Sequence, residues 1–170
     1  MLDGIAQNEN KDKAKAKNAK GGITVKGIHD VAVRFSRCCN PVPGDEIIGF
    51  VTRGRGVTIH RTDCVNVLNF PESERERLID AEWEKTDTGS EKYSAEINIY
   101  AQNRTGLIVD ISRVFTEANI DLRFMNSRVN KKDQATITLG FDVHGKDELS
   151  RLIEKFRNIP GVTDISRTTG

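Results

Sequence analysis

The sequence is poor in aromatic residues, 6% of the chain, and has three cysteines and a single tryptophan. It has no run of about 18 apolar residues, which excludes a helical membrane span, and its N-terminus lacks the apolar core of an export signal. The expected compartment is therefore the cytoplasm. Three cysteines without an export signal point to thiols or metal ligands rather than a disulfide framework. No G-x-x-x-x-G-K-[ST] phosphate loop occurs, and the RGRG stretch at 53–56 is too short and lies between strands instead of opening a helix. His29-Asp30 stands without the further ligands that a catalytic metal needs. The net charge of +1 excludes strong nonspecific attraction of the whole chain to nucleic acid.

What is present is unevenly spread. With 36% hydrophobic and 30% charged residues, the chain is globular but carries polar stretches. Residues 1–22 hold five lysines and almost nothing to bury, so they read as a disordered linker or a truncated upstream segment. Residues 23–70 are mildly basic, and residues 71–90 hold seven acids against three bases. The polar TDTGSEKY stretch sets a domain boundary near residue 88, giving modules over 23–88 and 89–170.

In the first module, Val31, Val33 and Phe35 lie on one side of a strand, Pro41, Pro43 and Gly44 force an irregular turn, and EIIGFVT and VTIH follow as strands joined by the glycine-permitted reversal. Thr62 is placed as the N-cap of a short helix running to Leu68, and the Ile79, Ala81, Trp83 alternation as an edge strand. In the second module, alternation at 95–101 gives a strand, followed by a helix from about 106 to 119 with Leu107, Ile108, Ile111, Val114, Phe115 and Ala118 on one stripe. Ile120, Leu122 and Phe124 begin a strand, Ala135 to Val143 form another, Leu149, Leu152, Ile153 and Phe156 mark a second helix, and VTDIS ends the series. The order βαββαβ predicts an α+β, ferredoxin-like layer whose sheet has an uncovered face and open edges.

Cys38, Cys39, His60 and Cys64 supply three sulfurs and one imidazole, the complement of a closed tetrahedral zinc site. Adjacent cysteines point to opposite sides of a strand, so this reading requires an irregular backbone at 38–39. Two other readings stand beside it. One cysteine packs as a small hydrophobe while the other and His60 face a binding surface, or His60 activates a thiol with Asp63 behind it. Arg53, Arg55 and Arg61 flank the same strands and by themselves read as a solvated hairpin. Without aromatics beside them, sequence-specific single-strand readout is poor.

The stretches RCCNPVPGDEIIGFVTRGRGVTIHRTDC and NRTGLIVDISRVFTEANIDLRFMNSRV resemble the C-terminal regulatory half of long RelA/SpoT-type (p)ppGpp synthetase/hydrolases, over roughly residues 22–168. The resemblance implies a conserved-cysteine or zinc-finger module followed by an ACT domain, with no catalytic domain in this chain. It further implies contact of the first module with ribosomal RNA and transfer RNA, for which Arg53, Arg55 and Arg61 suit phosphate clamping, and homodimerisation through the second. A branched-chain amino acid (valine, isoleucine or leucine) is implied at the loop after the first ACT strand. There Gly106 permits a close turn, the amides of Leu107 and Ile108 suit a carboxylate, and Asn103 and Asn119 suit an ammonium group. Turn formation and helix capping explain both asparagines equally well. The usual Asp-Arg-x-Gly loop is here Asn103-Arg104-Thr105-Gly106, which removes one negative partner. The alternative function is a structural ACT dimerisation element with a zinc-stabilised module and no small-molecule ligand.

Overall fold

The computed structural model describes residues 23–25, 32–54, 56–84 and 91–168. The expected N-terminal linker, Val31, the His29-Asp30 pair and the boundary at residue 88 lie outside the described residues. The first sheet is built from β1 (Ile23–Val25), β2 (Val33–Phe35), β3 (Ile47–Val51), β4 (Val57–Arg61) and β5 (Leu78–Trp83), with short helices α1 (Val65–Leu68) and α2 (Glu72–Arg75) between the last two strands. The strand order is β1-β5-β3-β4-β2, antiparallel except where β2 runs parallel to β4. The β3–β4 reversal closes on the Gly56 carbonyl, which accepts from both the amide and the hydroxyl of Thr52. Gly56 has φ +82°, and a Cβ there would lie 2.1 Å from the Ala32 carbonyl oxygen, so this turn requires glycine.

Alternation along β4 separates two packing environments. Val57 and Ile59 are buried with Ile23, Val25 and Ala81 in one core, whereas His60 projects to the other face, where Cys39, Cys64 and Val67 form a smaller cluster. Phe35 stacks on Trp83 with ring centroids 5.7 Å apart, and Tyr93 meets both rings edge-on. Two expectations are corrected. The strand at 78–83 is not an edge, because β1 pairs on its far side. The short helix begins at Val65 with Cys64 in the cap position, since Thr62 and Asp63 are used in a tight turn closed by the Cys64 amide on the Arg61 carbonyl.

The second sheet comprises β6 (Tyr93–Gln102), β7 (Leu122–Val129), β8 (Gln134–Val143) and β9 (Val162–Arg167), ordered β7-β8-β6-β9. Helices α3 (Leu107–Ala118) and α4 (Lys146–Arg157) complete the βαββαβ order of a ferredoxin-like fold. Ile97, Ile99, Ile137, Leu139 and Phe141 point from the central strands into a core shared with Ile111, Leu152 and Phe156. The rings of Phe141 and Phe156 each lie 5.3 Å from that of Phe115. Ile108 departs from the expected helix stripe: at 38% exposure it sits on the rim, one position round from buried Leu107. β7 is an edge strand exposed along most of its length, with Phe124 at 48% and Val129 at 49%.

Candidate functional site

The segment from Ser36 to Glu46 leaves β2 as a turn and brings the two adjacent cysteines to one side. Asn40 adopts φ +46°, a left-handed conformation, so the backbone is irregular where the sulfur arithmetic requires it. Cys38 Sγ lies 3.4 Å from His60 Nδ1 and 3.4 Å from Cys64 Sγ, while Cys39 Sγ is 3.9 Å from the same imidazole nitrogen. All four ligand atoms fall within 4.8 Å of one another. Zinc bonds of about 2.3 Å to sulfur and about 2.0 Å to nitrogen give tetrahedral edges of about 3.8 Å between sulfurs and about 3.5 Å from sulfur to nitrogen. The three separations of 3.4, 3.4 and 3.9 Å are close to those edges, and all three cysteines are free thiols.

Electrostatics favours a cation at the centre of this group. Burial pushes the Cys39 thiol up to about 12, against the pull of the Arg61 amide, and the neighbouring sulfurs Cys38 and Cys64 push it further the same way. Burial also raises Cys38, but hydrogen bonds with Ser36, Asn66, Cys64 and Cys39 outweigh it and hold that thiol below its ordinary value. His60 is lowered by burial, which keeps the imidazole neutral and its nitrogen lone pair free to bind. Several thiolates at this spacing repel one another unless a metal ion is shared among them. The surroundings support the ligands: Ser36 Oγ is 2.7 Å from Cys38 Sγ, and the Arg61 amide donates to Cys39 Sγ at 3.3 Å. Asp63, the group a Cys-His nucleophile needs behind His60, is instead bonded to the Arg61 guanidinium.

Of the three arginines expected to face RNA, Arg53 is exposed beside the β3–β4 turn and Arg55 lies outside the described residues. Arg61 is a correction. It is 5% exposed, and its guanidinium is spent on Asp63 and on the carbonyls of Cys39 and Thr168. Strand alternation already puts Arg61 on the face of Val57 and Ile59, so its burial follows the period of β4.

The candidate ligand loop opens α3, and its two polar side chains, Asn103 and Arg104, are bonded within the domain. Gly106 takes φ +81° at the start of α3. Arg104 donates to Asp110 at 2.6 Å and to the Pro160 carbonyl at 2.9 Å, and the Asn103 side-chain amide donates to Asp133 at 3.1 Å. Asp110 thus already places a carboxylate in the positive first turn of the helix. The Leu107 side chain belongs to the core and its amide meets the Arg104 carbonyl at 3.4 Å, whereas the Ile108 side chain faces outward. Asn119 caps the opposite end of the 12-residue helix at φ +55°, donating to the Phe115 and Thr116 carbonyls. At a 1.5 Å rise per residue that is about 18 Å from Gly106, so a single chain does not bring the two asparagines together. A cleft of about 190 Å³ lined by Tyr100, Gln102, Asn130, Gln134, Thr136 and Thr163 lies nearby and uses none of the expected ligand residues.

Sequence reasoning missed the residues that join the two sheets. Arg167 at the end of β9 donates to both carboxylate oxygens of Asp45, at 2.7 and 2.9 Å, and to the Asn40 carbonyl at 3.2 Å. These partners are more than 120 positions apart, so no local pattern announces them.

A mixed-sheet domain holding a Cys/His cluster, docked on a ferredoxin-like βαββαβ domain, defines a two-domain α+β class. Comparison with known families gives the same division: residues 23–84 match the RelA/SpoT RIS domain and residues 89–167 match the ACT domain. The chain belongs to the RelA/SpoT family, as part of its C-terminal regulatory region. It is 38% identical over 152 residues to a GTP pyrophosphokinase of Streptomyces coelicolor, covering 89% of this chain and 18% of that protein. With the GTP pyrophosphokinase of Escherichia coli K12 it shares 33% over 165 residues, covering 96% of this chain and 21% of the relative. The chain therefore spans about a fifth of the length of such relatives. Among solved structures, the ACT domain from a GTP pyrophosphokinase of Chlorobium tepidum aligns over 45% of this chain and 99% of its own, at 25% identity and a TM-score of 0.41.

Proposed function

We infer that this chain is a non-catalytic regulatory portion of a cytoplasmic, bifunctional (p)ppGpp synthetase/hydrolase. It holds zinc in its first domain, contacts ribosomal RNA and transfer RNA through the exposed side of that domain, and pairs as a homodimer through the second. The observation that carries the reading is the match of both domains, in order, to regulatory modules of GTP pyrophosphokinases. Zinc is supported by four ligand atoms within 4.8 Å of one another, two of them brought together by an irregular turn. Dimerisation is supported by the open β7 edge, whose exposed Phe124 and Val129 suit a second copy. A branched-chain amino acid sensed at that dimer shifts the distant catalytic domains between synthesis and hydrolysis only if it binds the two states unequally.

A second reading is a structural dimerisation element without a small-molecule ligand. It is favoured by one observation: Asn103 and Arg104 are already bonded to Asp133 and Asp110. Calorimetric titration of the chain with valine, isoleucine and leucine separates the two. Sensing predicts saturable heat, and a flat trace at millimolar ligand, where a site worth about 4 kcal/mol still registers, selects the structural reading.

A further inference from the structure

The loop between β2 and β3 serves two sites at once. On one side it supplies Cys38 and Cys39 to the ligand cluster. On the other, its next residues are built into the C-terminal domain. The Asn40 carbonyl and the Asp45 carboxylate accept from Arg167. The Pro43 carbonyl accepts from the Lys146 amide at 2.8 Å, satisfying one of the unpaired donors at the start of α4. Val42, 0% exposed, is buried in the core of the second domain and not the first. The contact is close: a Cβ on Gly44 would lie 2.9 Å from Lys146 Cβ. Asp45 also holds the loop's own shape by accepting from the Val42 amide at 2.9 Å. From the opposite side, Arg61 donates to the carbonyl of the ligand residue Cys39 and to that of Thr168, just past β9.

Only Asn40 and Pro41 separate Cys39 from the buried Val42, and Asn40 is in a left-handed conformation. Asparagine tolerates this conformation, and here its amide donates to the Ser36 carbonyl at 3.0 Å, on the turn that carries the two cysteines, while its carbonyl accepts from Arg167. Releasing the sulfurs frees the turn at 37–39, and the Asn40 carbonyl then has no fixed direction toward the guanidinium. Releasing Arg167 frees the same carbonyl from the other end.

We propose that Asp45 and Arg167 form a latch through which metal occupancy of the Cys38/Cys39/His60/Cys64 cluster controls docking of the C-terminal domain. The inference rests on the metal reading given above and adds a regulatory consequence to it. Because the two events share one loop, the coupling is reciprocal: metal tightens docking by the same factor that docking tightens metal. A chelator or a thiol oxidant acting on the first domain thereby loosens the second, without touching any residue of the ACT fold.

The test is amide hydrogen exchange by mass spectrometry on the full chain, zinc-loaded and then chelated, with metal content measured on each sample. Exchange at Lys146 and along β9 is expected to accelerate on the order of tenfold when zinc leaves, while α3 and the β6–β8 pairing keep their protection. Arg167→Ala should give that acceleration with zinc still bound, and should weaken zinc in a chelator competition by a matching factor. Arg167→Lys, which keeps the charge but loses the two-pronged contact, should fall between and guards against a merely misfolded variant. Zinc demonstrably lost with unchanged exchange at Lys146 overturns the latch alone. A chain that takes up no metal overturns the latch together with the metal reading.

Discussion

Replacing Cys64 by serine tests the cluster most directly. Cys64 is fully buried, its sulfur lies 3.4 Å from that of Cys38, and its backbone sits at the cap of α1, so the substitution exchanges one ligand atom with little change of volume. Structural zinc sites bind with roughly 10–16 kcal/mol, and removing one of four ligands forfeits about a quarter of that, roughly 3 kcal/mol. The expected loss is therefore about a hundredfold in zinc affinity, read by competition with a colorimetric chelator at fixed pH. The wild-type chain should carry one zinc after gel filtration and the variant much less. The pH dependence supplies a second reading. Since the metal-free Cys39 thiol is pushed up to about 12, zinc must displace its proton at neutral pH, and affinity should climb steadily as pH rises. A Cys64→Ser chain that keeps one equivalent at wild-type affinity refutes the four-ligand assignment.

The metal-free chain should lose stability as pH rises above the ordinary thiol value of 9.0 toward about 12, because the unfolded chain gives up the Cys39 proton while the folded one retains it. Urea titrations across that window check this, and the zinc-bound form, already a thiolate, should not share the loss. Phe156→Ala removes a ring that is 0% exposed and 5.3 Å from that of Phe115, and should cost about 3–5 kcal/mol in chemical denaturation. A cost under about 1 kcal/mol would mean the core is not built round that ring. Arg53→Glu should weaken binding to structured RNA and flatten its salt dependence by about one unit of slope, measured by filter binding over a salt series. An unchanged slope places the RNA contact elsewhere.

The second domain was legible because its chemistry is local. The alternation from Ala95 to Ala101 and the spacing of Leu149, Leu152 and Phe156 each report a face that one element buries by itself. Ile108 was misread because a stripe has rims, and sequence period does not say which neighbour the helix leaves uncovered. In the first domain the four candidate ligands do converge, since residue type and clustering carried the information. The arginines were harder. Arg53 and Arg61 look alike in sequence, yet one is exposed and the other is enclosed by Asp63 and two carbonyls. The Asp45–Arg167 pair and the parallel placement of β2 beside β4 depend on contacts between distant positions, which no window along the chain contains. The ligand loop shows the converse limit: Gly106 and Asn119 take the left-handed conformations their positions suggested, but conformation alone does not distinguish a cap from a binding group.

Val42 gives the C-terminal domain a plug that its own sequence does not encode. An ACT fragment cut after residue 90 would leave an apolar socket open to water, forfeiting roughly 1.5 kcal/mol or more of burial from that one side chain. Measurements on the excised piece would then describe a molecule with a sticky dimple, prone to self-association through a surface that the longer chain never presents.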